Sequence, residues 1–301
     1  MKHKSKLGKS NWQFWLIISI PLLYAIVFAY IPMGGILMAF KDYSIRKGIL
    51  GSDWVGLKYF IQFLSSTSSI KVIMNTLILG VYTLVVNFPF PIILAIMLNE
   101  IKCVRFKKTV QMVTYAPYFI STVVMVGMMM QMMDLRTGIF NIFLQKFGFK
   151  PINFFGDVSL FRHLYVWSGL WQTIGYSSII YIAALSGVST ELKEAAMMDG
   201  ASRMQKIWHV DLPGILPTIV IMLIFSCGNI VNIGLDKVYL MQNSLNADVS
   251  EVISTFVYKV GVVNADFGFS TASGLFQSIV SFTLLIAVNK LSKIVTETSL
   301  W

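Results

Sequence analysis

Polar and aromatic side chains recur inside two of the most apolar stretches of this sequence. They are Ser226, Asn229, Asn232 and Asp236 within residues 214–236, and Trp171, Gln172, Thr173, Tyr176, Ser177 and Ser178 within residues 164–187. On a helix, the three- and four-residue spacings of the first group would place its four side chains on one face. Such a face suits two roles: lining a path for a polar solute, or hydrogen bonding between helices.

The residue types needed for catalysis or metal binding are not grouped. His3, His163 and His209 are scattered without metal-ligand spacing, and the two cysteines, Cys103 and Cys227, do not make a disulfide framework. The sequence contains no G-x-x-x-x-G-K-[ST] phosphate-binding loop. We therefore predict no catalytic residue, no metal site, no cofactor held by this chain and no ATP hydrolysis by the chain itself.

The elements that must position the polar residues are membrane-spanning helices. The chain of 301 residues is 56% hydrophobic and 13% charged, with a mean hydropathy of +0.71. A bilayer core about 30 Å thick requires about 20 apolar residues of helix. Six segments qualify, namely 14–40, 72–98, 110–133, 164–187, 214–236 and 272–289. The sequence thus predicts an all-α membrane protein with six transmembrane helices in a single domain over residues 1–301.

The third segment contains a cluster of methionines: Met125, Met128, Met129, Met130, Met132 and Met133. Flexible packing against neighbouring helices explains such a cluster. A pathway for a soft metal ion is the alternative, which is disfavoured because no Cys or His joins the methionines.

The loops between the segments differ in positive charge. If the N-terminus is cytoplasmic, thirteen of the 24 Lys and Arg residues fall in the short cytoplasmic pieces, and the loop 99–108 is especially basic. Positive residues accumulate in cytoplasmic loops of membrane proteins. We therefore predict a multi-pass protein of the plasma membrane, surrounded by lipid, with both termini in the cytoplasm. The net charge of +10 then reflects topology and not nucleic-acid binding.

Residues 188–213 would lie on the cytoplasmic face, between the fourth and fifth spans. The stretch KEAAMMDGASRMQKIWHVDLPGILP (193–217) has the pattern of a helix, a turn and a second helix. Ser189 or Thr190 can cap the first helix, and Gly200 can end it in the left-handed conformation. A helix this short needs packing to be stable, so it either docks into a cleft on a cytoplasmic partner or serves as a surface connector.

The second helix of this pattern is predicted over residues 203–211. Ser202 can cap it, and Pro213 suits the first turn of the fifth span, where a missing N–H costs nothing.

The same stretch resembles the EAA motif of ABC importer permeases. The matching residues are Glu194, Ala195, Ala196, Asp199, Gly200 and Ala201, followed by Leu212, Pro213 and Pro217. The segments YIPMGGILMAFKDY (30–43) and NKLSKIVTETSLW (289–301) are similar to permeases of the oligosaccharide and polysaccharide branch, which are relatives of the maltose-type importers. The resemblance implies the type I importer permease fold.

By this resemblance, residues 190–201 form a coupling helix that sits in a groove of a separate ATPase. Glu194 would be its charged anchor, Ala195 and Ala196 its close-contact face, and Gly200 its turn. The partners implied are a second homologous permease, a cytoplasmic ATPase dimer that holds ATP and Mg²⁺, an extracellular substrate-binding protein and a carbohydrate substrate.

The resemblance also favours a sugar path over hydrogen bonding between helices. It implies that the fourth and fifth spans line the path. The residues expected there are Trp171, Gln172, Tyr176, Ser226, Asn229 and Asn232. Asn87 of the second span, close to Pro89 and Pro91, could face the same cavity.

Other functions remain as alternatives. One is a permease for another polar solute. Another is an ATP-independent secondary transporter, which would be expected to carry ionisable groups in mid-span and often inverted repeats. A membrane enzyme would need convergent His, Asp, Glu or Cys side chains. An exporter permease is disfavoured by the EAA-like loop.

Overall fold

The computed structural model describes residues 12–296 and 299–300, and nearly all regular structure in them is helical. The α-helices are α1 (Trp12–Ala25), α2 (Ile31–Met33), α3 (Gly48–Gly51), α4 (Lys58–Ser65), α5 (Thr67–Asn87), α6 (Pro89–Glu100), α7 (Val104–Tyr115), α8 (Thr122–Met132), α9 (Ile139–Lys146), α10 (Phe161–Ser186), α11 (Thr190–Met198), α12 (Arg203–Lys206), α13 (Leu212–Gly228), α14 (Leu235–Met241), α15 (Ala247–Ser250), α16 (Ile253–Tyr258) and α17 (Phe267–Thr296). Helical turns of other pitch are the π-turns Ile26–Tyr30, Ile207–Asp211 and Lys259–Val263 and the 3₁₀ turns Gly34–Phe40 and Ala116–Phe119. Two short strands, β1 (Lys41–Asp42) and β2 (Asp53–Trp54), pair antiparallel.

The helices are those of a multi-pass membrane protein, as the sequence predicts. Four continuous helices among the described residues are long and apolar enough to cross a membrane: Trp12–Phe40, Thr67–Glu100, Arg203–Gly228 and Phe267–Ile294. Two bent pairs raise the number to six if each pair is one span: Val104–Phe119 with Thr122–Met132, and Phe161–Ser186 with Thr190–Met198.

The third span, predicted as one helix over 110–133, is broken. The chain bends by 98° between α7, with its terminal 3₁₀ turn, and α8. At the break Ile120 has an extended backbone, and the Ser121 hydroxyl caps α8 by accepting a hydrogen bond from the Val124 N–H. The Gln172 side chain donates to the Ile120 carbonyl at 2.8 Å, so the polar group exposed by the break is satisfied by α10.

The start of the fifth span also differs from the prediction. One continuous helix runs from Arg203 to Gly228 and consists of α12, the π-turn Ile207–Asp211 and α13. Residues 203–211 are therefore helical as predicted, but the prediction that they form a helix separate from the fifth span is wrong. Pro213 lies in the first turn of α13, as predicted, but this turn continues the preceding π-turn and is not a free helix start. The wide π-turn directly before it explains how the helix tolerates a residue without an N–H.

The end of the fifth span differs more from the prediction than its start does, because α13 ends at Gly228 and not at residue 236. The chain is not helical from Asn229 to Gly234, and a Cβ on Gly80 of α5 would collide with the Ile230 carbonyl. This close approach of two backbones holds the unwound segment against α5. The prediction of a single helix face for Ser226, Asn229, Asn232 and Asp236 is therefore wrong, and Asp236 belongs to α14.

Helix α10 is the centre of the packing, with α5, α6, α7, α13 and α14 around it. Towards the end of the molecule that carries α11, Leu185 of α10 packs with Ile92 of α6 and Ile215 of α13. Towards the opposite end, Val166 of α10 packs with methionines of α8 and α14. The helices therefore surround α10 and leave a cavity beside it.

Candidate functional site

A polar cavity of about 360 Å³ lies between α5, α6, α10 and the end of α13. Three of the residues predicted to line a path are found in its wall: Ser226, Asn229 and Asn232. Two of these lie beyond Gly228, on the unwound segment. Non-helical backbone at membrane depth is tolerated only inside protein or beside a polar cavity, so this segment and the cavity fit together.

The hydrogen bonds of these three side chains stay within residues 222–232. The Ser226 hydroxyl donates to the Met222 carbonyl at 2.8 Å, and the Asn229 amide donates to the Phe225 carbonyl at 2.9 Å. The Asn232 amide reaches the Asn229 side-chain oxygen at 3.5 Å. These bonds do not join neighbouring helices, so they favour the lining role over hydrogen bonding between helices.

Helix α10 contributes a stripe with four-residue spacing: Tyr165, Gly169, Thr173, Ser177 and Tyr181. All of these except Gly169 are in the cavity wall, and Gly169 lies between two of them. Tyr165 and Tyr181 were not among the predicted residues, although this spacing in the sequence could have identified them.

Helix α5 supplies two further polar side chains, Thr83 and Asn87, of which Asn87 was predicted to face the cavity. The Thr83 hydroxyl oxygen and the Asn87 side-chain oxygen are buried and have no hydrogen-bond partner among the described residues. Buried polar atoms in proteins are normally paired, so these two have capacity for a guest in the cavity.

Three predicted path residues lie outside the cavity wall. Trp171 lines an apolar cavity of about 560 Å³ together with the methionines of α8. Gln172 bonds the Ile120 carbonyl at the break of the third span. Tyr176 stacks on Tyr118 with 3.8 Å between ring centroids. These residues are off the stripe because each residue of a helix turns the side-chain direction by about 100°.

A second polar cavity, of about 470 Å³, lies between the unwound segment and α17. Asn229 and Asn232 line it as well, opposite Gln277, Ser278 and Ser281. The Gln277 amide donates to the Val231 carbonyl at 2.8 Å and so satisfies one group of the unwound backbone. The sequence reasoning missed these residues of α17, which follow one another at helical spacing.

Lys237 of α14 is a charged group beside the first cavity. Its Nζ donates to the Tyr165 carbonyl at 2.7 Å and lies 4.7 Å from the Tyr165 ring centroid. It also lies 3.1 Å from the position that a Cβ on Gly169 would take. Burial lowers the pKa of Lys237, which is beyond the end of the fifth span, to about 7.

Helix α11 has the predicted end at Gly200. Gly200 has a φ of +77°, its N–H bonds the Met197 carbonyl at 3.1 Å, and the Ala201 N–H bonds the Ala196 carbonyl at 2.9 Å. This pair of bonds is a Schellman motif, which a glycine in the left-handed conformation favours. Ser202 then starts the next helix with a capping box to Gln205.

The residues of the EAA-like motif are accessible on α11 and its turn. Glu194, Ala195, Asp199 and Gly200 are exposed, whereas Ala196 and Ala201 are half-buried. Large apolar side chains of the same region also point outwards; they are Leu192, Met197, Met198 and Met204, with Met198 at 88% exposure. An exposed apolar surface of this kind suits contact with another protein.

Two ion pairs tie this region to the spans, and the sequence reasoning identified neither. Lys193 Nζ of α11 lies 3.2 Å from Asp211 Oδ1 in the π-turn before α13, and the Asp211 side chain is 1% exposed. Lys206 Nζ lies 2.6 Å from Glu100 Oε1 at the end of α6. The first ion pair, which is buried, joins α11 to the fifth span, and the second, which is half-buried, joins the start of the fifth span to the end of the second span.

Comparison with known proteins identifies the family. Residues 63–295 match the family model described as "Binding-protein-dependent transport system inner membrane component". The polygalacturonan/rhamnogalacturonan transport system permease protein of Bacillus subtilis (strain 168) is 40% identical, over 97% of this chain and 92% of that protein. The arabinooligosaccharides transport system permease protein of the same organism is 28% identical, over 90% of this chain and 85% of that protein.

Two solved structures share the fold. One is a bacterial ABC transporter involved in the import of the acidic polysaccharide alginate, with a TM-score of 0.88, 32% identity and coverage of 95% of this chain and 96% of that chain. The other is a bacterial alginate ABC transporter in complex with its alginate pentasaccharide-bound periplasmic protein, with a TM-score of 0.89, 32% identity and coverage of 96% and 97%. The type I importer permease fold and the resemblance from the EAA-like motif are confirmed. The chain therefore belongs to the family of binding-protein-dependent transport system inner membrane components.

Proposed function

We propose that this permease subunit carries oligosaccharides or polysaccharide fragments across the membrane as part of an ATP-driven ABC importer. The observation that carries the proposal is the polar cavity between α5, α6, α10 and α13, with its amides, hydroxyls and tyrosine rings. Amides and hydroxyls can bond sugar hydroxyls, and aromatic rings can cover sugar C–H surfaces. The printed names of the relatives and of the alginate transporters support a carbohydrate substrate.

In this proposal the substrate path consists of Ser226, Asn229 and Asn232, together with Thr83, Asn87, Thr173 and Ser177. Trp171, Gln172 and Tyr176 stay as candidates only for an arrangement in which the cavity extends around α10. Alternating access would open the cavity first to one side of the membrane and then to the other.

The ATPase is a separate polypeptide in this proposal, and α11 is the helix that docks on it. The exposed Glu194 and Asp199, the small residues Ala195, Ala196 and Ala201, and the turn at Gly200 would form the contact. The exposed Leu192, Met197 and Met198 add apolar area to the same surface. ATP and Mg²⁺ would be held by that partner.

The proposed assembly contains a second, homologous permease, an ATPase dimer and an extracellular substrate-binding protein. The alginate transporter whose structure includes a sugar-bound periplasmic protein supports the last of these. The dense positive charge of the 99–108 loop supports an orientation with α11 and both termini in the cytoplasm.

The test is a pull-down of the tagged chain from native membranes in mild detergent, with mass spectrometry of the co-purified chains. We expect a second permease and an ATPase, and we expect the ATPase to be lost when Glu194 is replaced by a bulky residue. Isolation of the chain alone, active in reconstituted vesicles without ATP, would overturn the proposal in favour of a secondary transporter.

A further inference from the structure

A cation lies directly next to the wall of the polar cavity: Lys237 is not itself a lining residue, but its Nζ contacts Tyr165, which is one. The α10 stripe that faces the cavity lacks a side chain at Gly169, between Tyr165 and Thr173. Lys237 Nζ fills this gap, 3.1 Å from where a Cβ on Gly169 would be. The Asn87 amide nitrogen lies 3.8 Å from the same position. The ammonium therefore lies beside the cavity at the level of Asn87.

This ammonium has no acidic partner. Among residues 12–296 and 299–300, no Asp or Glu side chain lies within ion-pair distance of Lys237. An ammonium has three donors, and the structure records one hydrogen bond for it, to the Tyr165 carbonyl. In the cavity wall, Thr83 and Asn87 of α5 each have a side-chain oxygen without a hydrogen-bond partner among the described residues.

An apolar side chain would fill the gap at Gly169 without the cost of burying a charge. Removing a charge from water is unfavourable unless a counter-charge or hydrogen bonds compensate for it. The missing partner at this position suggests that a ligand supplies the counter-charge.

We propose that Lys237 makes the cavity selective for carbohydrate chains that carry carboxylate groups. A carboxylate near Gly169 would accept hydrogen bonds from the free donors of Lys237 and from the Thr83 hydroxyl. The Asn87 oxygen would accept a hydrogen bond from a sugar hydroxyl. The inference rests on the proposed function, since it concerns the same cavity, and it adds the charge of the substrate.

The experiment compares an acidic sugar with its neutral form. The probes are trigalacturonate and fully methyl-esterified trigalacturonate, which share one sugar backbone and differ in charge. Binding is measured by equilibrium dialysis with the complete permease assembly, isolated from native membranes in lipid nanodiscs. We expect the wild-type assembly to bind the acid about tenfold more tightly than the ester, as a charge-assisted hydrogen bond allows.

The Lys237→Met variant should bind both probes equally, whereas the control variant Lys71→Met should keep the wild-type preference. Lys71 is also a lysine, but it forms an exposed ion pair with Asp248 away from the cavity. If Lys237→Met does not assemble, Lys237→Gln provides the test. Its amide keeps a donor for the Tyr165 carbonyl but carries no charge, so the preference for the acid should again be lost.

A pH profile separates charge selection from a purely structural role. Burial lowers the pKa of Lys237 to about 7. Without ligand, the Lys237 amine is therefore mostly protonated at pH 6 and mostly neutral at pH 8, while the galacturonate carboxylates stay ionised at both pH values. The preference for the acid should therefore be about fivefold smaller at pH 8 than at pH 6, because about a tenth of the Lys237 side chains stay protonated at pH 8, and it should not vary with pH in Lys237→Met.

Other titratable groups lie on α14 and on the elements that pack against it. α14 packs against α8, α10 and α16. The charged and titratable side chains on these elements are Asp236, Tyr239, Arg162, His163, Tyr165, Tyr176, Tyr181 and Tyr258, of which Tyr165 contacts the ammonium. His163 bonds the Tyr82 hydroxyl at 2.7 Å. Any pH dependence due to these groups would persist in Lys237→Met.

The outcomes divide clearly. A preference for the acid that persists in Lys237→Met, or no preference in the wild type, overturns the charge selection and leaves carbohydrate transport standing. Failure of the wild-type assembly to bind either probe overturns both the inference and the carbohydrate proposal for this cavity.

Discussion

At the scale of single residues, Asn229 and Asn232 keep part of their hydrogen-bonding capacity unused. An Asn side chain has two donors and two acceptor lone pairs, and the recorded bonds of these residues use fewer. Both residues are exposed, and both line the two polar cavities on either side of the unwound segment. A sugar that passes between the cavities would meet these amides from either direction.

We expect Asn229→Leu to lower uptake of a labelled oligosaccharide about tenfold, because a sugar hydroxyl in the cavity would lose its partner. Co-purification of the partner subunits should be unchanged. Asn264→Leu is a matched control, since Asn264 is exposed and lies outside both cavities. Normal uptake by Asn229→Leu, or a loss of partner subunits, would instead assign the amide to helix packing.

At the scale of elements, α11 is a short helix held at its C-terminus and in its middle. Its C-terminus is fixed by the Schellman turn at Gly200, and its middle is fixed by the Lys193–Asp211 ion pair to the helix that continues as the fifth span. In the proposed assembly, this ion pair would pass a movement of α11 to the backbone at the π-turn Ile207–Asp211. π-Turns inside α-helices often occur at functional positions.

The turn at Gly200 gives a prediction for coupling. Gly200→Val would place a side chain in the left-handed conformation at a cost of about 1–2 kcal/mol, and the turn should change. We expect the ATPase to be lost from the purified assembly while the amount of permease in the membrane is kept. Gly148→Val is a matched control, because Gly148 also has a positive φ, of +80°, and open space around it. Equal ATPase recovery from both variants would contradict the docking role of this turn.

The Lys193–Asp211 pair gives a prediction for stability. In Lys193→Met the buried Asp211 carboxylate loses its counter-charge, which should destabilise the protein by about 3–5 kcal/mol. Replacing both residues, in Lys193→Met/Asp211→Leu, should recover most of the loss. The measurement is the midpoint of thermal unfolding in detergent.

The exposed pair Lys71–Asp248 is the control for that cycle, since surface ion pairs contribute little. A double variant at 193 and 211 that is as unstable as Lys193→Met would show that the pair is not coupled.

At the scale of the whole molecule, most of the first span lies away from the other helices, and only its end, the 3₁₀ turn Gly34–Phe40, packs against α17. The helix Trp12–Phe40 is apolar on all sides, and none of its most hydropathic window is buried by this chain. Lipid or another subunit must cover it in the assembly. The remaining spans form the body that holds the cavities, with α11 at one end and Lys237 towards the other.

The orientation of this body can be tested with Cys103, which is free and exposed in the basic loop 99–108. In a Cys227→Ser background, a membrane-impermeant maleimide should label Cys103 in inverted vesicles and leave it unlabelled in intact cells. The labelled fraction is measured by a mass shift of the purified chain. Labelling in intact cells would reverse the proposed orientation and place α11 outside.

The sequence by itself determined the membrane class, the approximate spans and the EAA-like motif. These follow from local properties: the length of apolar runs, helix-forming residues, and a glycine where a left-handed turn is needed. The prediction of Gly200 as the end of α11 succeeded because the turn is encoded by that residue and its immediate neighbours.

Only the tertiary structure decided where the spans break and which side chains meet. The end of α13 at Gly228 depends on the approach of the Ile230 backbone to Gly80, about 150 positions away in the sequence, so a run of apolar residues could not reveal it. For the same reason, the sequence could not reveal that Asp236 lies on α14 and not on the predicted face, or that Lys237 Nζ lies next to Gly169. These contacts arise between segments that are distant in the sequence, and hydropathy and spacing describe only residues that are near one another.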